Sequence, residues 1–320
     1  METTQNALGL KLSDATRRGF KKGYKDTPVA GRSIFNVQMT DKKIEVFNSA
    51  ILDKLADLTG DNENYASTSA TLGDELTLTQ SKFTQSLEIS EDDMQYDQYS
   101  ILAALSGGQG LGSATATTIE VYIQQLISQG AGNSWTDHSG NTISTLTADG
   151  LSLFNNSHTV NGSASTYDNL MATTFGQTGV EEGLELFRGM LNQDGVRQTR
   201  RPRTIFSTGK ASLVSLINEY NNSQGHPEDA FNGINTYKGM FNHVVLDYLD
   251  TTSSRVADGA KDDYWGLVIA KDENLKLRVS QEPTVHAPQL VQRNRATLFQ
   301  VSTKFAFGVE DASCIVLSAA

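Results

Sequence analysis

Five histidines are the first side chains to weigh for chemistry: His138, His158, His226, His243 and His286. None stands in a metal-holding pattern. HExxH, which puts two imidazoles on one helix face, does not occur, and no two histidines are spaced i,i+4. Cys314 is the only cysteine, so no thiolate set can gather around zinc. Nor does a GxSxG elbow lift a serine toward a base, which leaves a hydrolase without a recognisable nucleophile. The acidic pairs Asp92/Asp93 and Asp262/Asp263 suit a helix start and a solvated turn better than a general acid and base. GGQGLG, from Gly107 to Gly112, has the glycines of a phosphate cradle, but no GK[ST] follows and it joins two helical stretches instead of a strand and a helix. No catalytic residue, metal or cofactor is therefore expected.

What chemistry remains is cationic. RQTRRPR places Arg197, Arg200, Arg201 and Arg203 within seven residues, either as a charged loop or as an inter-subunit salt-bridge site. No aromatic residue interleaves that run, which disfavours stacking on nucleic-acid bases. Residues 1–43 hold nine Lys/Arg, Arg17, Arg18, Lys21 and Lys22 among them, against four acids. The whole chain carries 26 basic and 37 acidic residues, a net charge of -11, so a +5 head precedes a body of -16. Such a head contacts an acidic neighbouring subunit, binds nucleic acid, or is simply solvated.

The elements that must carry these groups follow from composition and periodicity. At 320 residues the chain is long enough for about two domains with a buried core. Charged residues at 20% and hydrophobic residues at 38% exclude a disordered chain, and the lack of any apolar run near about 18 residues excludes a membrane span. The opening METTQNALGLKL has neither the basic start nor the apolar core of a secretory signal, and a lone cysteine fits a reducing compartment.

The head up to about Thr40 has little apolar periodicity and reads as an extended arm. Ile44, Phe47, Ile51, Leu55 and Leu58 recur at helical spacing and predict an amphipathic helix. Glu75 to Ser90 alternates apolar and polar residues as a two-stranded ribbon, too polar to be stable by itself. Ser90 with Glu91, Asp92 and Asp93 caps a helix that the glycines at 107, 108, 110 and 112 break. Ile119, Tyr122, Ile123, Leu126 and Ile127 then predict a helix over residues 113–129.

Residues 130–167 read as loop and short strand, including LSLF at 151–154. Two helices, over 180–193 and after a cap at Ser207 or Thr208, flank the strand RTIFS, and PEDA around Pro227 is a further charged segment. YWGLVIA predicts a buried strand, NLKLRV an alternating one, residues 299–309 a long half-buried strand, and CIVL at 314–317 the strand that closes the sheet. Strands and helices mix without regular alternation, so the expected class is α+β.

Several of these segments, in order, resemble the major capsid proteins of tailed bacteriophages, in the transposable-phage and protease-associated branch, whose fold is shared with encapsulins. KFTQSLEISEDDMQYD (82–97) resembles the end of the family's extended loop, and LGSATATTIEVYIQQLI (111–127) its long spine helix. LFNNSHTVNG, from Leu153, is similar to a segment of that branch. The stretch from Gly183 to Tyr220 resembles the central axial domain, and FQVSTKFAFGVEDAS (299–313) the closing strand of the peripheral domain. The matches span residue 75 to the end, roughly three quarters of the chain.

The resemblance implies a chain divided into an N-terminal arm (1–43), a peripheral-domain helix region (44–64) and an extended loop (65–90). A peripheral domain with the spine helix (91–182), an axial domain (183–290) and closing peripheral strands (291–320) follow. It implies a non-enzymatic subunit that builds hexamers and pentamers of an icosahedral shell around double-stranded DNA, touched without sequence readout. An encapsulin-like shell around a cargo enzyme is the nearest alternative, and a monomeric β-rich binding protein or hydrolase a more distant one. The implied site is the virion, assembled in the host bacterial cytoplasm, with no membrane partner. The partners are other copies of the chain, a portal and decoration proteins, and a separate scaffold or none, because the arm begins too early to hold a long scaffolding segment. Arg17, Arg18, Lys21, Lys22, Lys82, Phe83, Arg197, Arg200, Arg201 and Arg203 are the implied inter-subunit contacts. Some members join a loop lysine to a neighbour's asparagine; Lys82 lies in the matching loop, with no asparagine or acid assigned to it.

Overall fold

The structure is a computed structural model that describes residues 17–51, 71–90, 96, 109–159, 165–191, 197, 200–225, 234–252, 258–287, 289–291 and 296–319. A helix over residues 17–26 (α1) is followed by β1 (Asn36–Met39), β2 (Ile44–Ile51), β3 (Thr71–Thr79) and β4 (Ser81–Ile89). The long helix α2 (Gln109–Ser128) leads into short strands β5 (Ser134–Thr136), β6 (Thr142–Ser144), β7 (His158–Thr159), β8 (Thr166–Tyr167) and β9 (Leu170–Met171). Then come α3 (Gln177–Gly189), β10 (Thr204–Ser207), α4 (Ala211–Asn222), β11 (Asn242–Val245) and β12 (Trp265–Val268). The chain ends with β13 (Leu275–Val285), β14 (Gln289–Val291), β15 (Ala296–Val309) and β16 (Ile315–Ser318).

β15 organises the first sheet. Its aromatic and β-branched residues alternate with small and polar ones and so share one side, where Phe299, Val301 and Phe305 are buried and meet α2. β13 and β14 pair antiparallel along one edge of β15, β4 pairs antiparallel along the other, and β1 adds in parallel to β13. The second sheet has the order β11-β10-β12-β16-β9. One hydrophobic cluster runs from Ile34 and Phe35 through Ile123 and Ile127 of α2 to Trp265 and Ile315, so both sheets share a core. The expected α+β class holds, as does the helix predicted over 113–129, which begins earlier, at Gln109.

Several local expectations are corrected. Residues 44–51 form a strand, not a helix: Glu45 and Phe47 turn inward while Ile44 and Val46 turn out, and pairing with β3 overrides the helical spacing. Residues 52–58 of that expected helix lie outside the described residues. β3 and β4 do not pair as a ribbon. At Gln80 the chain passes from β2, whose Lys43 carbonyl accepts the Gln80 N–H at 2.9 Å, to β15, so the two strands serve different sheets. The ribbon is instead β2–β3.

The head is packed, not extended, from Arg17 onward, with Phe20, Ile34 and Phe35 buried. Gly110 and Gly112 lie inside α2, while the helix expected from Ser90 and the PEDA segment fall outside the described residues. LSLF makes only an isolated bridge, Leu146 to Ser152, and Leu153 and Phe154 plug the core. Ser207 ends β10, and Lys210 precedes α4 without a side-chain cap. Leu275 to Val279 are buried without alternation because the β2–β3 ribbon covers the side on which Lys276 and Arg278 stand. CIVL closes the second sheet, against β12, not the sheet of β15.

Candidate assembly surfaces

The N-terminal segment is held to α2 by a close backbone approach and a buried carboxylate. A Cβ on Gly112 would stand 2.2 Å from the Phe20 carbonyl oxygen, so glycine is what lets α1 lie on α2 this closely. Phe20 fills a pocket with Ile89, Leu111, Phe299 and Val301. About two turns of α2 further on, buried Glu120 accepts the Gly31 N–H at 2.7 Å and the Gln124 side-chain amide at 3.1 Å. Arg32 Nε stands 3.8 Å from its other oxygen, with the guanidinium 5.4 Å above the Tyr24 ring. Burial pushes the Glu120 carboxyl up from its ordinary range, against the opposing pull of the Gly31 N–H. With this side of the segment occupied, Arg17, Arg18, Lys21 and Lys22 are exposed on α1.

The base of the β2–β3 ribbon is clamped on the first sheet of its own subunit. Leu76 and Leu78 pack on Ala306, Leu78 reaching the open space above Gly308. Phe47 covers Lys276 and Arg278, whose charges stand 4.2 and 5.2 Å from its ring centroid. Lys276 Nζ is 2.6 Å from Glu310, and Arg278 Nε is 3.5 Å from Glu45 on β2. The opposite face of the ribbon presents Ile44 and Val46, each 53% exposed, and neighbouring Met39 is 62% exposed. Apolar residues this open, rimmed by Thr77 and Thr79, are what a subunit interface would cover.

The residues singled out from sequence do not gather into one site. The α1 cations stand on one element and Lys82 on another, exposed on β4 directly across from Lys304. Phe83 turns the other way, stacked on Phe305 at 4.3 Å and edge-on to Tyr122 at 4.8 Å, so its ring packs within the subunit. Arg200 forms an ion pair with the buried Asp272 carboxylate, while Arg197, Arg201 and Arg203 are exposed on the approach to β10.

His158 and His243 are built into packing, whereas His138 and His286 are exposed and His226 lies outside the described residues. His158 is fully buried, with Nδ1 2.8 Å from Asp149 and Nε2 3.2 Å from the Leu153 carbonyl, so both ring nitrogens are occupied. His243 Nε2 lies 2.8 Å from Ser207 Oγ, but that serine is fully buried at the end of a central strand, and burial pushes the imidazole pKa down. Among the described residues no group of three His, Cys, Asp or Glu side chains could hold a metal ion. A cavity of about 760 Å³ lies between β4, α2 and the β5–β6 hairpin, lined mostly by polar residues, threonines foremost, with Lys82, Asp137 and His138 at its walls. Burial favours the neutral form of Asp137, but bonds from Asn141, Tyr122 and Ser139 outweigh it and hold the carboxyl below its ordinary range.

Glu120, Lys276, Arg278 and Glu45 were not singled out from sequence. Glu120 had a readable signal: with Gln124 it forms an i,i+4 polar pair between the apolar residues of α2, too deep in the stripe to be solvated. Lys276 and Arg278 alternate with leucines as an exposed strand face would, so their burial depends on a ribbon that only the fold brings over them.

No family model matches the chain, and no curated protein matches it by sequence. Solved structures do. The capsid of an empty GTA particle superposes with a TM-score of 0.52 at 11% identity, covering 91% of this chain and 89% of that one. The capsid of cyanophage P-SCSP1u gives 0.53 at 13% identity over 89% and 86% of the two chains. A protein of Microbacterium phage Oxtober96 gives 0.53 at 8% identity over 91% of each. About nine-tenths of the chain thus shares its fold with these phage and GTA capsid structures.

Proposed function

We propose that the chain is a major capsid protein that self-assembles into hexamers and pentamers of an icosahedral head enclosing double-stranded DNA. The observation that carries this is the superposition on capsid structures over about nine-tenths of both chains. Two features fit it independently. The ribbon shows its own subunit one face and solvent an apolar one, and α1 docks through one side while holding exposed cations on the other. In this reading those cations, Lys82 and the exposed arginines at 197, 200, 201 and 203 are inter-subunit contacts, Arg200 being held by Asp272, with Phe83 shaping the same surface from within. The -16 body limits adhesion to packaged DNA phosphates.

The role is structural and not enzymatic, the location the virion after assembly in the bacterial cytoplasm, and the further partners a scaffold, a portal and decoration proteins. The proposed division is an arm (1–43), a helix region (44–64) whose described part is strand, a loop (65–90), a peripheral domain (91–182), an axial domain (183–290) and closing strands (291–320). Electron micrographs of the purified chain, expressed alone and with a scaffold, test the proposal, together with nucleic-acid absorbance of any particles. Closed shells of uniform diameter are expected. Shells that hold a protein cargo in place of DNA would favour an encapsulin-like compartment, and a stable monomer would overturn both.

A further inference from the structure

The outer face of the first sheet carries a row of cations, and the subunit neutralises only half of it. On β15 the residues Gly308, Ala306 and Lys304 share one face; across from them stand Lys276, Arg278 and Gln281 on β13, and Lys82 on β4. Over Gly308 and Ala306 the β2–β3 ribbon crosses the sheet, bringing Glu45 to Arg278 and the Phe47 ring over both cations, while Glu310 takes Lys276. One pleat further along, Lys82 and Lys304 face each other across the strand pair. Like charges directly opposite on a sheet repel. Among the described residues neither amine takes part in a hydrogen bond or an ion pair. Lys82 is exposed and its strand-face neighbours Thr84 and Ser86 are exposed as well, while Lys304 is half-buried and Ser302 beside it buried, so the β4 side of this half of the face is open and polar beside two facing cations.

We propose that an extended acidic segment of a second copy of the chain crosses the sheet here and places a carboxylate between Lys82 and Lys304, as Glu45 does for Arg278 within the subunit. The occupant is argued from charge: the body outside the head has a net charge of -16, so a neighbouring copy offers carboxylates in excess. The proposal rests on the shell reading above and names one contact within it.

Lys82→Glu separates the two claims. In the unassembled chain it turns a repulsive cross-strand pair into an attractive one, so the unfolding temperature holds or rises. In assembly it sets a carboxylate against the incoming segment, and particle yield in low salt falls by about tenfold or more. Lys82→Arg keeps the charge and assembles normally. A photo-crosslinking amino acid in place of Thr84, on the same face, is expected to join assembled subunits through a peptide rich in Asp and Glu from another copy. Wild-type yield from Lys82→Glu, or crosslinks confined within one chain or made to a different protein, would overturn the proposal while leaving the shell reading intact. Failure of the wild-type chain to form particles would overturn both.

Discussion

The Lys276 ammonium lies 4.2 Å from the centroid of the Phe47 ring, with Glu310 2.6 Å away on its other side. A charge buried to 5% exposure is thereby enclosed by an aromatic face from the ribbon and a carboxylate from the sheet's own edge. The ribbon is thus anchored at its base by its own chain, with Ile44 and Val46 exposed on its outer face.

Removing one partner of this buried pair should cost more than removing both. Lys276→Ala leaves Glu310 without its cation, and a loss of about 3–5 kcal/mol is expected in urea unfolding of the purified chain. Replacing Lys276 with Met and Glu310 with Leu together should recover most of that loss. Equal losses from the single and double variants would mean that the pair is not buried as described.

Gly112→Ala tests the seat of α1. The added methyl meets the Phe20 carbonyl oxygen at 2.2 Å, which the backbone can relieve only by lifting α1. A destabilisation of about 1–3 kcal/mol is expected. Trypsin should cut faster after Arg17 to Lys25 in the variant, with cleavage sites read by mass spectrometry. An unchanged digestion pattern would show that α1 is seated elsewhere.

Glu120 yields a pH prediction whose sign follows from burial. Its folded-state pKa is raised, so its contribution is fully present below the unfolded value of about 4.3 and is lost as pH rises through the folded value. Glu120→Gln, which can still accept the Gly31 N–H, should therefore be at least as stable as the wild type at neutral pH, with the difference vanishing in acid. Glu120→Ala leaves that buried N–H without an acceptor and should cost about 1–3 kcal/mol at every pH. Denaturant unfolding across the acid range distinguishes the two.

Asp149 has the opposite sign. Burial favours its neutral form, but bonds from His158, Thr147 and the Leu151 N–H prevail and hold the carboxyl below its ordinary range. Its contribution is present above about 3.9 and is lost as pH falls through the lower folded value. Asp149→Asn should be less stable than the wild type at neutral pH and should show a shallower acid limb in the same unfolding series.

Periodicity made the long helix and β15 legible, because each has one apolar pattern sustained over many residues and nothing else competes for it. The β2 segment misled for a physical reason: Ile44, Phe47 and Ile51 satisfy a helical spacing, while the alternation of Glu45 and Phe47 that fits a strand matters only once Lys276 and Arg278 lie beneath them. Likewise Glu75 to Ser90 reads as a two-stranded ribbon, although its two strands pair with β2 and β15 and not with each other. The candidate contacts were legible as charge but not as place. Arg200 and Arg201 are adjacent in sequence and both exposed, yet Arg200 is paired with the buried Asp272 carboxylate, a partner 72 residues away that charge alone does not indicate.

Sedimentation velocity of the purified chain, with and without a scaffold, bears most directly on whether it builds a shell. A single fast-moving species of capsid size, in equilibrium with or replacing free capsomers, is the expected result. A 34.7 kDa monomer that persists at the highest attainable concentration in both conditions would contradict it.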